Sequence, residues 1–341
     1  MIKPQKLEKG DTVATIAPSS GLGGLFPYRV DNARKFLESI GFKVKEFPTV
    51  KKFVDGNAGT IEERLLDIHS AFKDKEIKAI ICNIGGLACN ELLNLIDYNI
   101  VKTNPKIFCG YSDITLLHYA FSSMSDLITF YGPAAMTQFG EFPRPQEYTL
   151  KYFLKAVNQS TPIGRIEPSL HWTDEILDWS KKENHYRERK LFKNEGPIWI
   201  KEGSATGKIF GGCLYSILQL KGTRYDADYS GKILFVETPE GQNFEKGEPL
   251  NYVDSQITDL RNMGVFDKIK GLVVGRGFGY LQEERKKFKQ IIIKHTKNYD
   301  FPVLFNVDIG HTDPMITIPL NVRVTLNSEG NIFSINESGV V

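Results

Sequence analysis

The sequence predicts an α/β protein of two domains, the first built on a parallel sheet with helices on both faces. The first half carries the first part of that expectation, because short apolar runs alternate there with segments of helical periodicity. Length carries the second, since 341 residues exceed the size at which one hydrophobic core keeps growing.

The elements follow in order. Asp11 to Ala17 is a buried strand ended by Pro18-Ser19-Ser20-Gly21, and Arg29 to Ile40 is a helix stopped by Gly41. Phe42 to Phe47 alternates like a half-exposed strand. Helices are expected from Arg64 to Phe72, from Asn90 to Ile96, from Ile114 to Phe121 and from Glu147 to Val157. Lys78 to Cys82 and Lys106 to Cys109 supply two more buried strands. These elements place a first domain over residues 1–158.

Residues 159–205 are polar, hold Trp172, Trp179 and Trp199, and are too long for an ordinary connector, so a lid or an inserted hairpin is expected. A second domain then covers residues 206–341. Its strands are Lys232 to Val236, Gly271 to Val274 and Val303 to Phe305, its helices Val253 to Met263 and Gln282 to Lys294, and a Val/Ile-rich hairpin ends it.

Composition narrows the function. A formal net charge of +2 gives no electrostatic reason to invoke nucleic acid or a membrane surface. The N-terminus has no apolar leader-like run, and no later run approaches a membrane span, which fits a cytoplasmic location. Cys82, Cys89, Cys109 and Cys213 include no C-x-x-C pair, so neither a zinc site nor a redox pair is expected.

Four segments can carry chemistry. In Gly110-Tyr111-Ser112-Asp113 an apolar strand runs into a helix start, which exposes Ser112 at the sheet edge beside a helix N-terminus. The bland reading of that segment is a helix cap. Gly85-Gly86 also follows a buried strand, where a backbone N–H could meet a developing oxyanion; a plain turn is the alternative. Glu237 ends the strand from Lys232 and could orient an imidazole, with Glu240 as the competing acid of the same turn. His311 follows Gly310 in a loop, whereas His69 and His118 fall within helical patterns.

Ser112 in G-Y-S-D, Glu237 at a strand end and Gly310-His311 late in the chain together resemble the L,D-carboxypeptidase and microcin C-resistance (MccF-like) serine peptidase family. The resemblance spans the chain, from the opening Lys9-Gly10-Asp11 and Ile16-Ala17-Pro18-Ser19-Ser20 through Gly211-Gly212 to Ile318-Pro319-Leu320. It implies an N-terminal flavodoxin-like (class I amidotransferase-like) parallel-sheet domain with a smaller, β-rich C-terminal α/β domain, a Ser112–His311–Glu237 triad, an oxyanion hole from the N–H groups of Gly86 and Asp113, no metal or cofactor, and a homodimer.

Two runs depart from the microcin-resistance pattern. Gly85-Gly86-Leu87-Ala88-Cys89-Asn90 stands where a polar Gly-Gly-Asn-Asp-Ser-Asn-like run is common, and Gly211-Gly212-Cys213-Leu214 where Gly-Gly-Asn-Leu is. Trp172-Thr173-Asp174-Glu175 and Trp179 resemble that branch's W-x-D-E…W loop and imply a peptidyl or aminoacyl-nucleotide substrate, contacted by Gly85, Trp172 and Trp179. Packing between domains is the other use of the tryptophans. Peptidoglycan L,D-carboxypeptidase activity and a catalytically silent binding protein are the alternative functions.

Overall fold

The computed structural model describes residues 1–341. Strand β1 (Thr12–Ile16) leads through the one-turn helix α1 (Leu22–Leu25) into α2 (Pro27–Ser39), which carries proline at its first position, and then into β2 (Lys43–Glu46). Helix α3 (Ile61–Lys73) opens on a capping box: Thr60 Oγ1 accepts from the Glu63 N–H at 3.3 Å, and the Glu63 carboxylate accepts from the Thr60 N–H at 3.1 Å. The chain continues through β3 (Ile77–Cys82), α4 (Tyr98–Thr103), β4 (Ile107–Gly110), α5 (Thr115–Ser125), β5 (Phe130–Tyr131) and α6 (Glu147–Val157).

Four short strands follow: β6 (Gly164–Arg165), β7 (His171–Trp172), β8 (Phe192–Lys193) and β9 (Ile198–Lys201). The last part comprises the long β10 (Ser204–Cys213), α7 (Leu214–Gln219), β11 (Ile233–Glu237), α8 (Leu250–Asn262), β12 (Gly271–Gly275), α9 (Gln282–Thr296) and β13 (Val303–Val307). It closes with β14 (Ile318–Pro319), β15 (Arg323–Asn327) and β16 (Ile332–Ile335).

The first sheet runs β14-β5-β4-β3-β1-β2, with its five N-terminal strands parallel. Their order, 2-1-3-4-5, is the flavodoxin-like one, whose ligand crevice lies beyond the carboxyl ends of the strands. The second sheet runs β6-β16-β15-β10-β11-β12-β13-β9. Strand β10 bends between two partners: its first half pairs antiparallel with β15 and its second half parallel with β11. This gives the mixed α/β architecture expected, with a parallel sheet first and a curled sheet second.

The two sheets share one hydrophobic core. Tyr119 of α5 meets Phe210 of β10 with ring centres 4.5 Å apart, and Tyr131 of β5 meets Phe235 of β11 at 5.1 Å. Such aromatic pairs add about 1 kcal/mol each beyond the area they bury. The second pair also sets the end of β5 against β11. No helix is long and apolar enough to cross a membrane.

One element differs in kind from expectation. The helix expected from Asn90 to Ile96 is a single 3₁₀ turn over Cys89–Leu92, and the true helix is α4, where Asp97 caps the N–H groups of Asn99 and Ile100. Leu92, Leu93 and Ile96 are all buried, so their spacing satisfies a helical period while the backbone serves as a turn. Within 159–205 the hairpin form is present: β7 pairs with β8, while β6 and β9 join opposite edges of the second sheet.

Candidate active site

Strand β4 ends at Gly110, and two residues later Ser112 takes φ 66°, a left-handed conformation that costs a non-glycine residue about 1–3 kcal/mol. The turn is held from behind. The Ser112 N–H donates to Tyr131 Oη at 3.3 Å, and Thr115 Oγ1 donates to the Ser112 carbonyl at 2.6 Å. Both backbone polar groups of Ser112 are thereby occupied, and its hydroxyl takes no part in either bond.

Tyr131 joins this turn to the other sheet. Its hydroxyl donates to Glu237 Oε1 at 2.5 Å, and Glu237 Oε2 meets His311 Nδ1 at 2.6 Å. Glu237 is fully buried at the end of β11, and the His311 side chain is 7% exposed. Burial pushes the His311 pKa down, but the charges of Glu237 and Glu240 outweigh it and lift the imidazole to about 9. Gly310 lets the loop come this close: at φ 98°, a Cβ there would stand 2.4 Å from Glu237 Oε2.

The competing acid of the turn lies on the opposite ring nitrogen. Glu240 Oε2 is 3.5 Å from His311 Nε2, which makes no hydrogen bond. The His311 ring packs edge-on to Tyr111, the neighbour of Ser112, with centres 5.0 Å apart. Imidazole and serine therefore occupy one corner, with Glu237 behind the ring and Nε2 free.

Gly85 and Gly86 border the same corner. A Cβ on Gly85 would stand 2.7 Å from Ser112 Cβ, so only glycine lets β3's exit loop pass the serine. Gly86, at φ 154°, lies against Ser19, and its N–H makes no hydrogen bond within the chain. The Asp113 carboxylate fixes this loop: it accepts from Ser19 Oγ at 2.6 Å and from the Cys89 N–H at 3.3 Å, and Ser19 Oγ accepts from the Ala88 N–H at 3.0 Å. Burial raises the Asp113 pKa against the pull of those donors.

The hairpin of residues 159–205 docks on the histidine loop. Thr173 and Asp313 exchange backbone hydrogen bonds of 2.6 and 2.9 Å. Arg189 pairs with Asp313 at 2.7 Å and with Glu141 at 2.9 Å, and Gln138 Nε2 donates to Asp313 Oδ1 at 3.0 Å. Trp172 is buried beside Phe192, with the guanidinium carbons of Arg276 and Arg285 at 4.9 and 4.4 Å from the centre of its ring. Trp179 is half-buried, with Arg29 4.7 Å from its ring centre and Phe26 edge-on at 5.8 Å.

Ser112, Gly85, Gly86, Asp113, Glu237 and His311 thus converge, while Trp172 and Trp179 lie in the neighbouring hairpin. Two residues escaped the sequence reading. Tyr131 ends a two-residue strand, and only the apolar run before Gly132-Pro133 hints at it. Arg189 sits in a polar stretch with no period to single it out. Outside this corner, buried His118 bonds neutral Thr129 Oγ1 and the Gly110 carbonyl, and burial lowers it to about 4. All four cysteines are buried and free, and no cluster of His, Cys, Asp and Glu is spaced to hold a metal ion.

Residues 13–132 match the LD-carboxypeptidase N-terminal domain and residues 206–326 the LD-carboxypeptidase C-terminal domain. The Microcin C7 self-immunity protein MccF of Escherichia coli is 29% identical over 97% of this chain and 94% of its own. A structure of MccF in complex with glutamyl sulfamoyl guanosine superposes with a TM-score of 0.91 at 28% identity, over all of both chains. The crystal structure of an MccF-like protein from Bacillus anthracis (strain Ames) gives a TM-score of 0.89 at 32% identity, over 99% of this chain and 100% of that one. The murein tetrapeptide carboxypeptidase of Pseudomonas aeruginosa is 39% identical over 79 residues, 23% of this chain and 25% of that protein.

Proposed function

The chain belongs to the LD-carboxypeptidase family and is a serine carboxypeptidase, and on that premise we propose that Ser112, His311 and Glu237 form its triad and act on an aminoacyl or peptidyl group joined through an amide-type bond to a nucleotide-like moiety. The observation that carries the triad is the Glu237–His311 contact of 2.6 Å, tied through Tyr131 to the backbone of Ser112.

In this reading Ser112 Oγ bonds to the acyl carbon as His311 Nε2 takes the hydroxyl proton. The oxyanion is met by the N–H groups of Gly86 and Asp113. Collapse breaks the bond to the leaving nitrogen, which receives the proton from His311. Water then attacks the acyl-enzyme with His311 again as base, and Ser112 is regenerated. Glu237 holds the imidazole tautomer and balances the imidazolium. Each oxyanion donor in such a site is worth on the order of 100- to 1,000-fold in turnover.

The whole-chain likeness to MccF, crystallised with glutamyl sulfamoyl guanosine, supports the nucleotide-conjugate substrate. Of the two tryptophans, half-buried Trp179 is the better candidate to stack on a base, and the burial of Trp172 favours a packing role. A murein tetrapeptide is the second reading, favoured by the local likeness to the Pseudomonas aeruginosa enzyme. Both reactions would use the same corner.

The test is hydrolysis by the purified protein. Release of glutamate from glutamyl sulfamoyl adenosine, without release of D-alanine from murein tetrapeptide, is the expected result; the reverse selects the second reading. Ligand binding with no turnover on either would mark a silent scaffold.

A further inference from the structure

We propose that Glu240 is a positioning residue for His311: its carboxylate faces Nε2 in the free protein and yields that nitrogen to Ser112 when substrate fills the cleft. The proposal rests on the triad reading above and adds a fourth residue to it.

Nε2 is the nitrogen that must exchange a proton with Ser112, yet the polar group placed on it is Glu240 Oε2, 3.5 Å away and short of a hydrogen bond. The loop bearing Glu240 is anchored while its side chain is not. Glu240 and Gly247 form an antiparallel bridge, the Gly241 N–H donates to the Lys246 carbonyl at 2.8 Å, and the Glu248 N–H donates to the Pro239 carbonyl at 3.1 Å. Gly247 is wedged so tightly that a Cβ there would lie 2.1 Å from the Phe278 carbonyl oxygen. The Glu240 side chain itself is 31% exposed, so its carboxylate can swing toward water without moving that frame.

The remaining groups around His311 leave this role to Glu240. Glu237 occupies Nδ1. Asp313, on the histidine's own loop, is paired with Arg189 and Gln138. Glu248, at the far end of the Glu240 loop, is buried with one oxygen on Gln256, and burial raises its pKa. Tyr111 offers only its ring. Removing the Glu240 charge therefore removes the one carboxylate directed at Nε2.

The consequence is a resting state in which the imidazole stays cationic at neutral pH and cannot accept the serine proton. Substrate that separates Glu240 from Nε2 returns the ring to a titration range where it is a base. Since kcat/KM reports the free enzyme and kcat the substrate complex, the acid limb of kcat/KM lies at higher pH than that of kcat.

The experiment follows the His311 ring by NMR titration in the full chain, for wild type, Glu240→Gln and Glu240→Asp, alongside pH profiles on glutamyl sulfamoyl adenosine. Wild type is expected to titrate near 9. Glu240→Gln should titrate about 1 pH unit lower or more, with the acid limb of kcat/KM moving alike and closing on that of kcat. Glu240→Asp should restore most of the wild-type behaviour. Identical His311 titrations in wild type and Glu240→Gln would overturn the proposal. So would a shifted titration with an unmoved kcat/KM limb. A shifted titration in a protein that hydrolyses nothing would remove the triad reading, and with it the catalytic meaning of Glu240, while leaving the contact demonstrated.

Discussion

The corner holding Ser112, Glu237 and His311 and the hairpin carrying Trp172 and Trp179 touch the same loop but are built differently. In the corner, chain ends do the placing: β4, β5 and β11 stop within hydrogen-bonding reach of one another, and the chain of contacts from Ser112 through Tyr131 and Glu237 to His311 is buried for most of its length. In the hairpin, the regular structure is a pair of two-residue strands, and charges supply the hold. Arg189 reaches Asp313 and Glu141, Arg187 reaches Glu175, and Arg285 reaches Asp174. A corner fixed by strand ends and glycine leaves little room for substitution. A hairpin fixed by ion pairs can change its side chains without disturbing the corner.

Four experiments can break or sharpen that contrast. Arg189→Met strips the partner from Asp313, whose side chain is 8% exposed. Leaving a buried charge unpaired costs roughly 3–5 kcal/mol, and about 3 kcal/mol is expected here in chemical denaturation. A change below about 1 kcal/mol would show that the hairpin does not depend on this pair.

Tyr131→Phe should be the more selective lesion. It deletes the bond to Glu237 and the support of the Ser112 N–H, and a hydrogen bond to a charged group is worth about 1.5–3 kcal/mol. A loss of about 10- to 100-fold in kcat with little change in KM is expected from steady-state kinetics. A pure KM effect would put Tyr131 on the binding side of the comparison.

Trp179→Ala should do the opposite, raising KM for a nucleotide conjugate about 10-fold with kcat nearly unchanged, in line with roughly 1–3 kcal/mol for a stacked base. Equal effects on a nucleotide conjugate and on an acyl substrate lacking the base would assign Trp179 to packing.

The smallest effect is one of pH on stability. His311 is lifted to about 9, so the stability its partners supply is fully present below about 6.5, its ordinary value, and is lost as pH rises through 9. The stability gap between wild type and His311→Asn should therefore narrow across that window. His118, held at about 4 among neutral partners, acts in the other sense: it stays neutral on folding, and stability falls as pH drops from about 6.5 toward 4. A gap that failed to narrow toward pH 9 would mean that His311 is neutral in the folded protein.

Much of the corner was legible because Glu237 ends a buried apolar run, His311 directly follows Gly310, and Ser112 comes two residues after the strand that ends at Gly110. Strand-end position favoured Glu237 over Glu240, though both lie in one turn; the fold puts one at each ring nitrogen. Tyr131 stayed hidden because a strand of two residues has no period to read. The segment from Asn90 to Ile96 misled for the converse reason: Leu92, Leu93 and Ile96 have a helical spacing that burial in a turn also satisfies. The hairpin was legible only as an excursion, because its partners are long-range charges, such as Asp313 for Arg189, that no local pattern announces.

Everything proposed for this corner depends on Ser112 being its nucleophile. Labelling the intact protein with a fluorophosphonate and mapping the adduct by mass spectrometry tests it most directly. One modified residue is expected, Ser112, with labelling lost in Ser112→Ala, strongly slowed in His311→Ala, and matched by a drop in kcat of at least about 10⁴-fold in each variant. An adduct on another residue, or turnover that survives Ser112→Ala, would contradict it.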